Sequence, residues 1–243
     1  MIALTLALLL MTLSPPQLEL DHVYVVVQPG GQAEIVALRE AGFTVTSRPQ
    51  KHDGQGTASV AVLFGNAYLE LLWVDSSVSV DDAHRSSFAW FRAAQDWRTT
   101  GTIPFGIGLR RVDGDTTQLG VPVIREPASW LPADQAYELL RQPTEEHAAD
   151  VFVVPALAAM PVWVARRREM APQLFVHAAA ANEITAIRVH GSLTQHPSAL
   201  AVLKPARVET VIDETPLLEV ILDGGKKGKR SDLRPLLPLV IVR

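Results

Sequence analysis

The sequence predicts an α+β fold made of paired β-α-β-β-β modules. Three observations carry this expectation. Residues 18–75 run strand, helix, strand, strand, strand. The last two of these strands are joined by Gly65-Asn66, a two-residue link suited to a tight hairpin. The order strand, helix, strand, strand then recurs from Ile184 onward. The implied organisation is an apolar segment over 1–17, a first module over 18–75, a connecting region of helix, strands and a long excursion over 76–183, and a second module with a C-terminal strand over 184–243.

Each element has a local cause. Leu18–Val27, LELDHVYVVV, places Val23, Val25 and Val27 on one strand face and His22, Tyr24 and Val26 on the other. Pro29-Gly30-Gly31 turns the chain, and Ile35, Leu38 and Ala41 recur at helical spacing until Gly42 caps the helix. Phe43–Ser47 is expected as a short strand. The hairpin pairs Phe64 with Ala67, Val62 with Leu69 and Val60 with Leu71. Its bulky apolar face is Val60, Val62, Phe64, Leu69, Leu71 and Trp73, expected to lie under helices. Its lighter face is Ser59, Ala61, Leu63, Tyr68, Glu70 and Leu72.

Farther along, a helix follows Ser86-Ser87 and runs to Trp97. Phe105–Val112 is a strand whose Gly106 and Gly108 let something approach one face closely. Asp113–Trp130 is a weakly periodic excursion. Ala133–Arg141 is expected as a short helix, and Val151–Val154 and Pro161–Arg167 as strands. Strands are also expected at Ile184–His190, Arg207–Ile212 and Leu217–Leu222, with a short helix at Pro197–Leu203. The final run Leu236–Val242 contains Pro238, which argues for a sheet edge.

Glu70 is the misfit of the hairpin. A carboxylate among residues that otherwise read as buried is costly unless it is paired or bound to a cation. His22 lies on the corresponding face of the first strand, so the two converge on one concavity if the valine faces are covered. Imidazole nitrogen with carboxylate oxygen suits a first-row divalent metal, which would polarise a carbonyl or enediolate oxygen. Laying YLELLWVD on LLEVILDG sets Glu219 opposite Glu70, as a further oxygen ligand or a general base. Tyr68 and Tyr24 would line the same face, Tyr68 as a candidate acid or substrate contact. Arg110, Arg111 and Arg234 are candidate clamps for a substrate carboxylate.

LDHVYVVV, followed by HDGQGTA and YLELLWV, resembles the glyoxalase-like branch of the vicinal oxygen chelate superfamily, and SSFAWFRAAQDW…GIGLRR and DLRPLLPL extend the resemblance. It implies sheets that curl into a cup and a divalent metal held by the first and last strands of each module. His22 and Glu70 match the first module's ligand positions and Glu219 one in the second. Ala186 falls at the fourth and cannot bind metal. Two arrangements follow: a three-ligand site of His22, Glu70 and Glu219, or a substitute ligand from His52, His177 or His190. The expected activity is a divalent-metal-dependent lyase or isomerase acting on a small oxygenated substrate. Its alternatives are a non-catalytic small-molecule binding protein and a purely structural module.

Composition narrows the partners. In 243 residues the net charge is −4, which gives no broad basic field for nucleic acid, and the absence of cysteine excludes thiolate metal sites and a cysteine nucleophile. The P-loop, nucleophile-elbow and zincin signatures are missing. Ile2–Leu13 is apolar but too short for an integral membrane span. It stands open as a signal segment, a misassigned start or a loose tail. The cytoplasm is the default expectation, with secretion or a periplasmic location if residues 1–13 act as a signal. A small-molecule ligand and a homodimer complete the expected partners.

Overall fold

A computed structural model describes residues 17–112, 115, 118–140, 147–191, 202–211 and 213–243. The apolar segment before Gln17 and most of the helix expected at Pro197–Leu203 lie outside the described residues. In chain order the first module is β1 (Leu18–Val26), α1 (Gln32–Glu40), β2 (Gln50–His52), β3 (Thr57–Leu63) and β4 (Tyr68–Val74). Then come α2 (Arg85–Gln95), preceded by a 3-10 turn at Asp82–His84, and a short α3 (Trp97–Thr100). Next are β5 (Phe105–Arg111), β6 (Ile124–Glu126), β7 (Tyr137–Leu139) and β8 (Asp150–Val153), followed by α4 (Met160–Met170). The C-terminal part contains β9 (Ile184–His190), β10 (Val208–Val211), β11 (Leu217–Leu222), β12 (Arg230–Asp232) and β13 (Leu239–Val242).

The first eight strands form one mixed, curled sheet in the order β2-β3-β4-β1-β5-β8-β7-β6. The order is symmetrical about the β1–β5 contact. β1 pairs with β4 in parallel, and β5 pairs with β8 in parallel. The result is the half-barrel expected of the vicinal oxygen chelate fold. Its second repeat is therefore Phe105–Val153, with no helix among the described residues between β5 and β6. This corrects the placement of the second module at 184–243. Those residues form a separate five-stranded sheet, β10-β9-β11-β13-β12. There β9 pairs with β11 antiparallel, whereas β1 and β4 are parallel. The shared hydrophobic pattern of the two segments thus reflects similar burial and not a shared topology.

The first hairpin forms in the expected register, with Val62 opposite Leu69 and Val60 opposite Leu71. Its apolar face joins the valines of β1 in the main core. Part of what covers that face is α1, through Ile35 and Leu38. Much of the rest is the second sheet, through Ile187, Val189, Leu218, Val220, Leu239 and Ile241. The expectation of a purely helical cover is corrected accordingly. On the opposite, concave face, Trp90, Phe91 and Ala94 of α2 pack against Tyr24, Val26 and Leu72. The helix fills part of the cup and leaves the remainder as a cavity.

Four further local expectations change. Phe43–Ser47 makes no regular strand, although Thr46 N–H donates to the Ala61 carbonyl at 2.9 Å. Residues 137–139, expected as helix, are β7, and 161–167, expected as strand, are the body of α4. Pro161 lies in the first turn of that helix, where its missing N–H costs nothing. The run after Pro238 is flanked by β11 and β12 and is not an edge. Pro238 itself precedes β13, and its carbonyl accepts the Leu218 N–H at 2.8 Å.

His177 is a buried tie between layers. Its Nδ1 accepts the Thr44 N–H at 3.1 Å, so Nε2 carries the proton donated to the Leu63 carbonyl at 2.9 Å. Burial holds its pKa below the usual histidine value, against a smaller upward pull from the Leu63 bond. A group with a depressed folded pKa binds less proton folded than unfolded. Its contribution is complete above the unfolded value near 6.5 and is lost as pH falls below it. Thermal melts from pH 7.5 to 5 are expected to show stability falling toward acid, by at most about 1.4 kcal/mol per pH unit for this one proton. His177→Gln should flatten that limb.

Candidate active site

A bulge in β1 builds the site. Across β1 and β5, Leu20 faces Leu109 and His22 faces Gly108, leaving Asp21 as the extra residue. The bulge brings neighbouring side chains together. His22 Nδ1 lies 2.8 Å from Asp21 Oδ1, while Asp21 Oδ2 accepts the Met160 N–H at 2.7 Å. A carboxylate that already accepts from the start of α4 accepts a second hydrogen bond from the imidazole, so His22 carries its proton on Nδ1 and turns its Nε2 lone pair outward. Tyr68 stacks on the ring at 4.5 Å between centroids, and Trp163 of α4 stands edge-on to Tyr68 at 5.5 Å. Asp21 is fully buried, which keeps water from competing for it.

Gly106 and Gly108 are small for a steric reason. A Cβ at Gly108 would meet the His22 ring at 2.5 Å, and one at Gly106 would meet the Tyr24 ring at 2.3 Å. The close approach expected at these glycines is therefore made by the two cavity-facing rings of β1. Tyr24 crosses the sheet to donate its hydroxyl proton to Asp150 Oδ2 at 2.7 Å.

His22, Glu70 and His52 meet in the wall of a cavity of about 120 Å³. His22 Nε2 is 3.9 Å from Glu70 Oε2, and His52 Nε2 is 3.6 Å from Glu70 Oε1. His52 is steered by Thr57 Oγ1 at 2.9 Å from Nδ1 and Ser59 Oγ at 3.3 Å from Nε2. Burial holds the His52 pKa below its ordinary value; Glu70 opposes this and His22 reinforces it. Ligand atoms of a four-coordinate ion with bonds of about 2.0–2.2 Å stand about 3.4 Å apart. The observed separations lie a few tenths of an ångström beyond that. Among the described residues, no group of three or more such side chains is already drawn in closely enough to hold an ion. Both imidazoles would have to move closer to Glu70 to do so.

Tyr68 lines the cavity as expected. Burial raises its pKa well above the usual tyrosine value, and the Glu70 and Asp21 charges add to this. It stays protonated and can act as a donor, not as a base. Tyr137 on β7 is raised by burial and the same two carboxylates, against the Gln55 hydrogen bond.

Glu219 is not among the residues lining this cavity, which corrects its expected roles as metal ligand and base. It sits in the second sheet opposite Arg188. Its carboxylate accepts from Arg188 Nη1 at 3.0 Å and Arg230 Nη1 at 3.1 Å, with His190 Nε2 at 3.6 Å. Burial alone would raise its pKa, but the two guanidinium bonds outweigh it and hold the group below the usual carboxylate range. A carboxylate so engaged is a structural anchor. His190 and His177 likewise lie outside the lining. Arg110 pairs with Glu19 at 2.8 Å, Arg111 with Glu138 at 2.9 Å, and Arg234 with Asp232 at 2.5 Å. None of these arginines lines the cavity.

Five cavity residues or supports were not singled out from the sequence: Asp21, His84, Glu126, Tyr137 and Asp150. One signal was present. Leu18 and Leu20 occupy even positions and Val23, Val25 and Val27 odd ones. That change of phase marks the bulge that carries Asp21 and His22.

Residues 20–118 match the glyoxalase-like domain family. No curated protein sequence matches the chain. Among solved structures, it is similar to a hypothetical protein from Staphylococcus aureus at 11% identity and TM-score 0.46, covering 92% of this chain and 98% of that one. It is also similar to methylmalonyl-CoA epimerase from Mycobacterium tuberculosis at 17% identity and TM-score 0.38, covering 59% and 92% of the two chains. The family match covers 99 of the 243 residues, all of them from β1 through β5 and the start of the excursion that follows.

Proposed function

We propose that the cavity is the active site of a divalent-metal-dependent lyase or isomerase acting on a small oxygenated substrate, with His22, His52 and Glu70 as the metal ligands. The observation that carries this is the convergence of two imidazoles on one buried carboxylate. With Asp21 holding the Nδ1 proton, His22 presents a lone pair to Glu70, and burial favours the neutral form of His52 beside it. Electron-rich groups so placed favour a cation between them. A divalent ion held there would supply a Lewis acid for a carbonyl or enediolate oxygen. Tyr68, kept protonated, would donate to oxygen beside His22 in the cavity. Leu72, Phe91, Leu139 and Phe152 wall the space and limit water.

Elemental mass spectrometry on loaded and desalted protein tests the ligand set. Near one metal per chain is expected in the wild type and little in His22→Ala, His52→Ala or Glu70→Ala. A folded wild type that retains none after loading would sink the proposal. Asp21→Asn is expected to weaken the site about 10–100-fold without removing a ligand, because it loosens the His22 tautomer and orientation. Calorimetric titration with Zn²⁺ or Ni²⁺ measures this. One observation favours the second reading, a protein that binds its ligand without turning it over: Glu219, the expected base, is held by two arginines outside the cavity.

A further inference from the structure

The first turn of α4 touches both supports of the His22 ring. Met160 N–H donates to Asp21 Oδ2 at 2.7 Å, while Asp21 Oδ1 holds His22 Nδ1 at 2.8 Å. Trp163 stands edge-on to Tyr68 at 5.5 Å, while Tyr68 covers the ring face at 4.5 Å. One helix end thus backs both the edge and the face of the same imidazole. Ala158, in the 3-10 turn just before α4, lines the cavity. Little else holds α4 down. Met160 is buried, Trp163 and Val164 are half-buried, and the rest of the helix is exposed. Val162 and Met170 are 58% and 72% exposed. Among the described residues, neither hydrophobic core includes a side chain of α4. An element with so few buried apolar contacts opens locally at less cost than unfolding the whole chain.

We infer that α4 is a detachable cover whose docking sets the His22 ring, with Trp163 as a positioning residue that acts through Tyr68. Docked, α4 shuts water off from Asp21, and the carboxylate keeps the His22 proton on Nδ1. Lifted, α4 takes away the Met160 donor and the Trp163 ring together, admits water to Asp21 and parts the cavity wall at Ala158 for a ligand to enter. Such coupling is reciprocal: a cation or ligand that fixes the His22 ring tightens α4 by the same factor. The inference rests on His22 being a functional group of the cavity, and its test does not require the metal.

The test is hydrogen-exchange mass spectrometry of the full chain, paired with long-range ¹H–¹⁵N spectra of the histidine rings. The internal reference is α2, a helix of the same 11-residue length that packs into the core through Trp90, Phe91 and Ala94. In the metal-free wild type, α4 amides should exchange about tenfold or more faster than those of α2. Trp163→Ala should speed α4 by a further factor of about five or more, and should mix the His22 tautomers, read as averaging of its two ring-nitrogen signals. Trp163→Phe keeps an aromatic edge on Tyr68 and should stay within about twofold of wild type in both readouts. Val162→Ala, on the exposed side of α4, should change neither. Saturating Zn²⁺ should slow α4 exchange about fivefold or more. Exchange in α4 as slow as in α2 would overturn the cover. Faster α4 exchange in Trp163→Ala with unchanged His22 signals would overturn the coupling, as would saturable Zn²⁺ binding that leaves α4 exchange unaltered. A wild type that binds no Zn²⁺ yet shows both effects of Trp163→Ala would support the cover and sink only the metal assignment.

Discussion

Glu70→Ala is expected to reduce divalent-cation affinity by more than about a hundredfold, beyond the 10–100-fold typical of removing an outer-shell partner, while leaving the fold as stable as before or slightly more so. Glu70 is a buried carboxylate on a strand face, across β3 and β4 from Ala61 and across β1 and β4 from Tyr24. Its nearest ionisable partners are His22 and His52, at 3.9 and 3.6 Å. These are ion-pair distances, not good hydrogen bonds, so they return little of the desolvation cost of burying a charge. A residue that stabilises the fold would show the opposite pattern on removal. Thermal melts in the presence of a chelator, alongside calorimetric titration of the metal, give the two quantities. A large loss of stability with unchanged cation affinity would make Glu70 structural.

Gly108→Ala is expected to cost about 1–3 kcal/mol of stability, the range for forcing extra volume into a packed site, and to lose most cation affinity as well. The added methyl would fall 2.5 Å from His22 Cε1 and 2.7 Å from Nδ1. The ring cannot step aside cheaply, because Asp21 holds one edge and Tyr68 covers one face. Gly106→Ala is the internal control. It presses on Tyr24 and its bond to Asp150, so it should cost similar stability with much less effect on the cation. Equal cation loss in both variants would mean that the methyl groups act through general unfolding and not through the His22 ring.

The first module was legible because its signals are local and agree. Gly65-Asn66 sets the turn, two-residue alternation sets the faces, and together they fix the register that places Glu70 and Tyr68 in the cavity. His52 was identified only as one of several candidates. What brings it to Glu70 is the short β2, whose pairing with β3 sets His52 opposite Thr57. The second repeat was hidden because β6 and β7 are three residues each, too short for alternation to register, and no helix among the described residues marks the β5–β6 connection. The C-terminal sheet then supplied a better-looking hydrophobic match and drew Glu219 into the wrong place. Its true partners, Arg188 and Arg230, depend on antiparallel pairing that a burial pattern does not encode. α4 was misread for a related reason. Its short Val162–Val164 run has β-propensity, but tertiary context makes it helix, and that helix places Met160 against Asp21 and Trp163 against Tyr68.

The most direct test of the metal centre is pulsed electron paramagnetic resonance of the Cu²⁺-loaded protein, read for the remote nitrogens of coordinated imidazole. Two imidazoles are expected in the wild type and one in each of His22→Ala and His52→Ala. A wild-type spectrum without coordinated imidazole, or one that neither substitution changes, would contradict the assignment of His22, His52 and Glu70 as a metal site.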